Sequence, residues 1–268
     1  MKINTLKYSN TNTYLIEGDK GYLLFDTGWA GTFDAFCRCM GDIKIPVQKI
    51  DCILISHFHP DHMGIAENIA DLGARIVIPE VQKDYIHSAD AVFAKDKNSG
   101  FVPIKDETVR FIKLSDSRDF LKELGIDGEI LHTPGHSDDS ISLILDSGQV
   151  FVGDLNPLYE IEAHKGTTIV ESWEIILKFR PKEVYYGHAP AATLGDNTGA
   201  TAVGDASADL YELVEKIIKY INKGMPLAKI QKKTGAGEEF IEDVNRMYLT
   251  HPGVSVQGIL DRIEIKGR

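Results

Sequence analysis

Cysteine is scarce in this chain, with only Cys37, Cys39 and Cys52 among 268 residues. So small and odd a number excludes a disulfide framework, and a chain of this length buries enough apolar surface to fold without one. Cys37 and Cys39 stand two apart in a stretch that reads as helix, so they face different sides, and all three read as reduced packing residues. Long apolar runs are also missing. Nothing approaches the roughly 20 residues that a membrane-crossing helix needs, and Met1 to Tyr8 lacks the apolar core of a signal peptide. The expectation is a soluble cytoplasmic protein with no membrane partner. An excess of basic charge is absent as well. The formal net charge is −11, which gives no general attraction to phosphate backbones and argues against a nucleic-acid partner. Residues 205 to 268 hold ten acidic and ten basic side chains, so the acidic excess lies wholly in residues 1 to 204.

Short runs rich in β-branched and aromatic residues are present throughout the first part of the chain. Thr13 to Ile16, Tyr22 to Phe25, Ile50 to Ile55, Ile76 to Ile78, Val109 to Leu114, Ile141 to Leu145 and Val150 to Val152 read as strands. Helical patterns at Ile65 to Leu72 and Ile169 to Phe179 alternate with them, which predicts a layered α/β domain. Thr193 to Ala206 is rich in Gly, Thr and Asp and reads as a linker. Beyond it, Leu210, Leu213, Val214, Ile217, Ile218 and Ile221 keep a helical period, Gly224-Met225-Pro226 breaks it, and a second helix is expected near Leu227. The expected organisation is a catalytic domain over 1–204 and a helical extension over 205–268.

The strongest chemical signal is His57-Phe58-His59-Pro60-Asp61-His62, placed directly after a buried-strand pattern. In an extended segment His57 and His59 project to one side, and Pro60 keeps His59 out of the helical region, so both imidazoles can reach one ion. Asp61 and His62 turn with the new helix and diverge, which suits a second ion. A string of this kind arises by chance about once in a thousand such compositions. Single ligand-type residues close other apolar runs: His136 after Thr133-Pro134-Gly135, Asp154 after Phe151-Val152-Gly153, and His188 after Tyr185-Tyr186-Gly187. Each alone is more often a turn former or a packed core residue; their joint occurrence makes the case. His87, His132, His164 and His251 fit no ligand position and are assigned no metal role.

In order along about 190 residues, the chain resembles the metallo-β-lactamase superfamily. The resemblance is carried by Asn12-Thr13-Tyr14-Leu15-Ile16, Leu24-Phe25-Asp26-Thr27-Gly28, His57 to His62, Thr133 to Ser137, Gly153-Asp154 and Gly187-His188. It implies a four-layer αββα sandwich with an appended C-terminal helical segment. It also implies two divalent metal ions, zinc first, with iron or manganese as alternatives. His57, His59 and His136 would hold one, Asp61, His62 and His188 the other, and Asp154 would bridge them. Asp26 would support the site without binding metal. Two cations sharing a water lower its pKa far below that of bulk water, to about 7, so the implied activity is hydrolysis by a metal-bridging hydroxide, with Asp61 as the catalytic residue that orients or shuttles the proton.

Departures from the family pattern narrow this expectation. Aspartate at 154 and histidine at 62 differ from the β-lactamases proper, and His59 differs from the acid usual in the flavodiiron branch. Quorum-signal lactonases usually carry a tyrosine three residues after the bridging aspartate; Pro157 stands there, and Tyr159 is the nearest candidate for a substrate contact. His136 to Ser140 resembles small-molecule thioesterases of the quinolone-signal type. The first expectation is therefore a small-molecule ester, thioester or lactone as substrate, with a homo-oligomer left open. The alternatives are a phosphodiesterase, a mono-iron oxidoreductase like the persulfide dioxygenases, and a ligand-sensing protein whose metal site is dispensable. Tyr211, Tyr220 and Met225 could wall a substrate pocket, although ordinary helix packing is the commoner role for such residues.

Overall fold

The computed structural model describes residues 1–96, 98–158, 161, 164, 166–194, 205–250, 256 and 259. The chain divides into two compact units, Met1–Thr201 and Ala202–Arg268.

The first unit contains two sheets. The larger consists of β1 (Lys2–Leu6), β2 (Thr13–Glu17), β3 (Tyr22–Phe25), β4 (Ile50–Leu54), β5 (Arg75–Pro79) and β6 (Arg110–Ile112), lying side by side in sequence order. Its first three strands are antiparallel, and β3 to β6 run parallel. Parallel neighbours need long crossovers. These contain α1 (Phe33–Asp42), then α2 (Pro60–Met63) and α3 (Ala66–Ala70), then α4 (Asp90–Phe93). After α5 (Ser117–Glu123), the second sheet is built from β7 (Gly128–His132), β8 (Ile141–Leu145), β9 (Gln149–Phe151), β10 (Glu183–Tyr185) and β11 (Ala192–Thr193), ordered β11-β10-β9-β8-β7. The helix α6 (Thr168–Leu177) makes the parallel crossover from β9 to β10.

Strand alternation assigns each side chain to a layer. Leu15, Leu24, Ile53, Ile76 and Ile78 pack with Phe36 and Met40 of α1 and with Ile69 of α3. Their neighbours Tyr14, Ile16, Leu23, Phe25, Leu54 and Val77 point the other way, meeting Ile141, Leu143, Leu145 and Phe151 of the second sheet. The far side of that sheet presents Ile144, Val150 and Val184 to Trp173 and Ile176 of α6. Helices, sheet, sheet and helix follow in that order, the αββα sandwich expected. Both sheets are buried on two faces, which explains why most of their strands read as continuous apolar runs.

Some elements differ from the sequence expectation. Leu114 does not extend β6, which ends at Ile112; it opens a 3₁₀ turn that leads into α5. Thr193, expected in the linker, belongs to β11, a two-residue strand whose pairing with Glu183 and Val184 comes from tertiary contact. Residues 195–204 of the expected linker lie outside the described residues. In the second unit α7 (Asp205–Asn222), α8 (Leu227–Thr234) and α9 (Glu238–Thr250) surround Val214, Ile217, Ile230, Ile241, Val244 and Met247. Gly224-Met225-Pro226 separates the first two. Among the described residues, no helix is long and apolar enough to cross a membrane.

His87 ties the segment around α4 to the loop before β6, with Nδ1 2.9 Å from Asp90 Oδ2 and Nε2 3.0 Å from Asp106 Oδ1. Both nitrogens can donate only as imidazolium, and the bond to Asp106, reinforced by Asp90, raises the pKa of this half-exposed ring. A raised folded value adds stability that is fully present below the ordinary histidine pKa of about 6.5 and is lost as pH rises through the folded value. We expect the melting temperature of His87→Gln to fall further below wild type at pH 6 than at pH 9. An equal gap at both pH values in a thermal unfolding series would refute the linkage.

Candidate metal centre

The site forms where strand ends of both sheets meet. Beyond β4 the chain stays extended, with His59 at φ −75° and ψ 151°, until Pro60 opens α2. Proline suits that first helical position because its missing N–H would have no partner there. His57 and His59 therefore project together, as the spacing predicts, and His62 follows inside the short helix. From the second sheet come His136 after β7, Asp154 after β9 and His188 after β10. Two glycines make the approach possible. A side chain at Gly153, whose φ is 55°, would lie 2.5 Å from Ser56 Oγ, and one at Gly187 would overlap Asp154 Oδ1 and come within 2.8 Å of His62 Cε1.

All seven predicted ligand residues converge. They form three overlapping groups, His57 with His59 and His136, His57 with His62 and Asp154, and Asp61 with His62 and His188. Within each group the candidate ligand atoms lie no more than 4.8 Å apart. Asp154 is central: Oδ1 stands 3.3 Å from His62 Nε2, while Oδ2 stands 3.3 Å from His188 Nε2, 3.6 Å from His136 Nε2 and 4.0 Å from His57 Nε2. Asp61 Oδ2 is 3.0 Å from His188 Nε2 and 3.8 Å from His62 Nε2. His57 Nε2, His62 Nε2 and Asp154 Oδ1 are buried without a hydrogen-bond partner. Buried polar atoms left without a partner around a common space are costly in a folded protein, and a cation held there would satisfy them together. The donor set of imidazoles and carboxylates thus fits divalent metal.

The electrostatics point the same way. Burial favours the uncharged form of His57, and the neighbouring His62 adds to the effect, so its pKa falls well below the usual histidine range. Burial pushes His62 down too, but Asp154 and Asp26 outweigh it and hold the ring well above that range. His188, likewise opposed by burial, is pushed up to about 10 by its contacts with Asp154 and Asp61. Burial acts to raise Asp154, yet His62 and His188 hold it well below the ordinary carboxylate range. The carboxylates and the histidines thus act on one another as one charge-coupled cluster.

Around this centre lies a ring of orienting contacts. Asp26 is fully buried, and its left-handed φ of 63° is one that aspartate tolerates better than most residues. It accepts the Ser56 N–H at 2.7 Å and the Ser56 hydroxyl at 2.9 Å, and its Oδ2 lies 2.9 Å from His62 Nδ1. Ser56 Oγ is also 3.0 Å from His57 Nδ1. These bonds leave the Nε2 atoms of both histidines to face the centre. Asn12 donates from Nδ2 to the carbonyls of Tyr186 and Ala189 at 3.0 and 2.9 Å, bracing the loop that carries His188. Ser56 and Gln82 escaped the sequence reading, and Asp139 entered it only within the His136 to Ser140 string with no role of its own, since none of the three carries a ligand signal in sequence. His132 bonds the Asp138 carbonyl at 2.7 Å and joins none of the ligand groups. Tyr159 and His251 lie outside the described residues, and Tyr220 and Met225 pack against the core of the second unit.

Two stacked sheets with a histidine and aspartate cluster at their strand ends define a sandwich protein equipped to hold metal. A family model described as the metallo-beta-lactamase superfamily matches residues 7–188, and the chain belongs to that superfamily. It is 26% identical over 193 residues to the beta-lactamase-like protein 2 homolog of Drosophila melanogaster, covering 69% of this chain and 60% of that protein. It is 30% identical over 151 residues to a probable metallo-hydrolase of Methanocaldococcus jannaschii, covering 56% of this chain and 69% of that one. An atrochrysone carboxyl ACP thioesterase of Claviceps purpurea is 27% identical over 170 residues, with 61% and 44% covered. The chain spans about half the length of the first curated relatives it matches. A solved metallo-beta-lactamase family protein of Thermus thermophilus shares the fold at a TM-score of 0.55 and 16% identity, covering 99% of this chain and 92% of the other.

The tight seat of Gly187 generates a test. We expect Gly187→Ala to push Asp154 and His62 apart and to cut the metal retained per chain, measured by elemental analysis after dialysis, while far-ultraviolet circular dichroism stays that of wild type. Undiminished metal content would show that the centre tolerates the intrusion.

Proposed function

We propose that the protein is a dinuclear metal-dependent hydrolase acting on a small ester, thioester or lactone, with thioesters first. The catalytic domain would be residues 1–204 and the helical extension residues 205–268. His57, His59 and His136 would hold one cation, Asp61, His62 and His188 the other, and Asp154 would lie between them. The observation that carries this reading is the central carboxylate of Asp154, within 4.0 Å of a nitrogen from each of four histidines. A donor set without thiolate suits zinc, with iron and manganese as alternatives. The name of the Claviceps purpurea relative supports the thioester assignment.

A bound pair of divalent cations supplies Lewis acidity toward the substrate oxygen and acidifies water at neutral pH. The chain's own residues would do the rest. Asp61 is held below the ordinary carboxylate range because His188 and His62 outweigh the upward push of burial. Its carboxylate, 3.0 Å from His188 Nε2, would be placed to orient or shuttle the proton of an attacking water. Asp26 and Ser56 would hold His62 and His57 with Nε2 directed at the centre, so that little reorganisation accompanies the reaction.

The test is a screen of metal-quantified protein against acyl thioesters, lactones, carboxylic esters and bis(4-nitrophenyl) phosphate, each with and without a chelator. We expect thioester or ester turnover that the chelator abolishes and zinc restores. Turnover indifferent to the chelator, or confined to the phosphodiester, would overturn the proposal. In the same assay Asp61→Asn should lower kcat by about 100-fold or more, the scale of a positioned acid or base, with a much smaller loss of bound metal. Parallel losses of metal and turnover would reduce Asp61 to a ligand alone.

A further inference from the structure

We infer that Asp139 is a positioning residue that aligns the three-histidine group across the two sheets and favours a cation there; the inference rests on the metal-centre reading above. His57 and His59 extend from β4 in the first sheet, whereas His136 hangs from the end of β7 in the second. The His59 and His136 rings stand 77 residues apart in sequence, yet a nitrogen of one lies 3.0 Å from a nitrogen of the other. Covalent structure does not set that spacing, so tertiary contacts must.

Asp139 sits three residues after His136 and is 2% exposed. Its Oδ2 accepts the backbone N–H of Phe58, the residue between His57 and His59, at 2.7 Å. Gln82, fully buried, reinforces the junction from one amide nitrogen, which lies 3.0 Å from the Asp139 carbonyl, 3.1 Å from that of Ile55 and 3.2 Å from that of Ser56. The Ile141 N–H donates to the Ser56 carbonyl at 2.9 Å. Residues 55–58 of one sheet and 139–141 of the other are thus stapled at the point from which all three histidines project. A neutral acceptor could also take the Phe58 N–H, whereas burying a carboxylate carries a desolvation cost that nearby positive charge offsets. Among the described residues no cationic side chain pairs with Asp139. A cation held by the neighbouring histidines is the compensation that the arrangement leaves open.

The experiment is a cobalt(II) titration of the chelator-stripped full chain, followed by visible absorption and calorimetry, with His136→Ala marking the step that belongs to the three-histidine group. Asp139→Ala should weaken that step by about 10- to 100-fold, the usual effect of removing a ligand's supporting partner, and change its visible band, while the other step moves less than about twofold. Asp139→Asn keeps an acceptor for the Phe58 N–H and should recover the band but only part of the affinity. Unchanged binding in Asp139→Ala, or equal weakening of both steps, overturns the inference alone. Should Asp139→Ala not fold, wild-type cobalt affinity in both Asp139→Asn and Gln82→Leu overturns it, and selective weakening in either supports it. Wild-type protein that takes up no cobalt overturns the metal-centre reading and this inference together.

Discussion

The carboxylate of Asp154 among four imidazoles is the interaction on which the rest of the site depends. A carboxylate so deeply placed needs positive charge nearby, and the surrounding histidines can provide it in two ways. They can carry protons themselves, as His62 and His188 are poised to do, or they can hold a cation that carries the charge for them. Either way the same seven side chains must lie within a few ångströms of one another. Gly153 and Gly187 are small for this reason: any larger side chain would occupy the space that Ser56 and Asp154 need.

The sandwich meets that demand by separating packing from chemistry. Alternating side chains along β2 to β5 and β8 to β10 fill three apolar layers, and the aromatic contact between Phe25 and Phe151, with ring centroids 5.6 Å apart, helps register one sheet on the other. Residues beyond the strand ends take no part in filling those layers. They can be polar and fixed in place, because each inherits the rigidity of the strand before it. Asp26 then links the end of β3 to the segment beyond β4, and Asn12 links the start of β2 to the loop that carries His188. The centre is consequently an assembly of strand extensions, each held by a buried hydrogen bond to a neighbour.

Membership of the metallo-beta-lactamase superfamily explains the sandwich and the donor set, but the chemistry a member performs is decided by its site and pocket walls. The helices α7 to α9 form a body with its own core of Val214, Ile217, Ile230, Ile241 and Val244. Its neutral charge balance, ten acidic against ten basic side chains, sets it apart from the acidic first unit.

Local patterns determined much of this protein without any structure. Short runs rich in β-branched and aromatic residues marked most of the long strands, helical periodicity marked α6 and α7, and the spacing from His57 to His62 pointed to a metal site, because those signals lie within a few consecutive residues. Lone residues at strand ends, His136, Asp154 and His188, became legible only in company. What tertiary structure alone decided were the contacts between distant segments. Thr193 becomes a strand by pairing with Glu183, and Asp139 acquires meaning by reaching Phe58 across 81 positions. A hydrogen bond between a side chain and a distant backbone group leaves no periodicity in the chain, because its partner is set by how the sheets stack and not by which residues stand nearby.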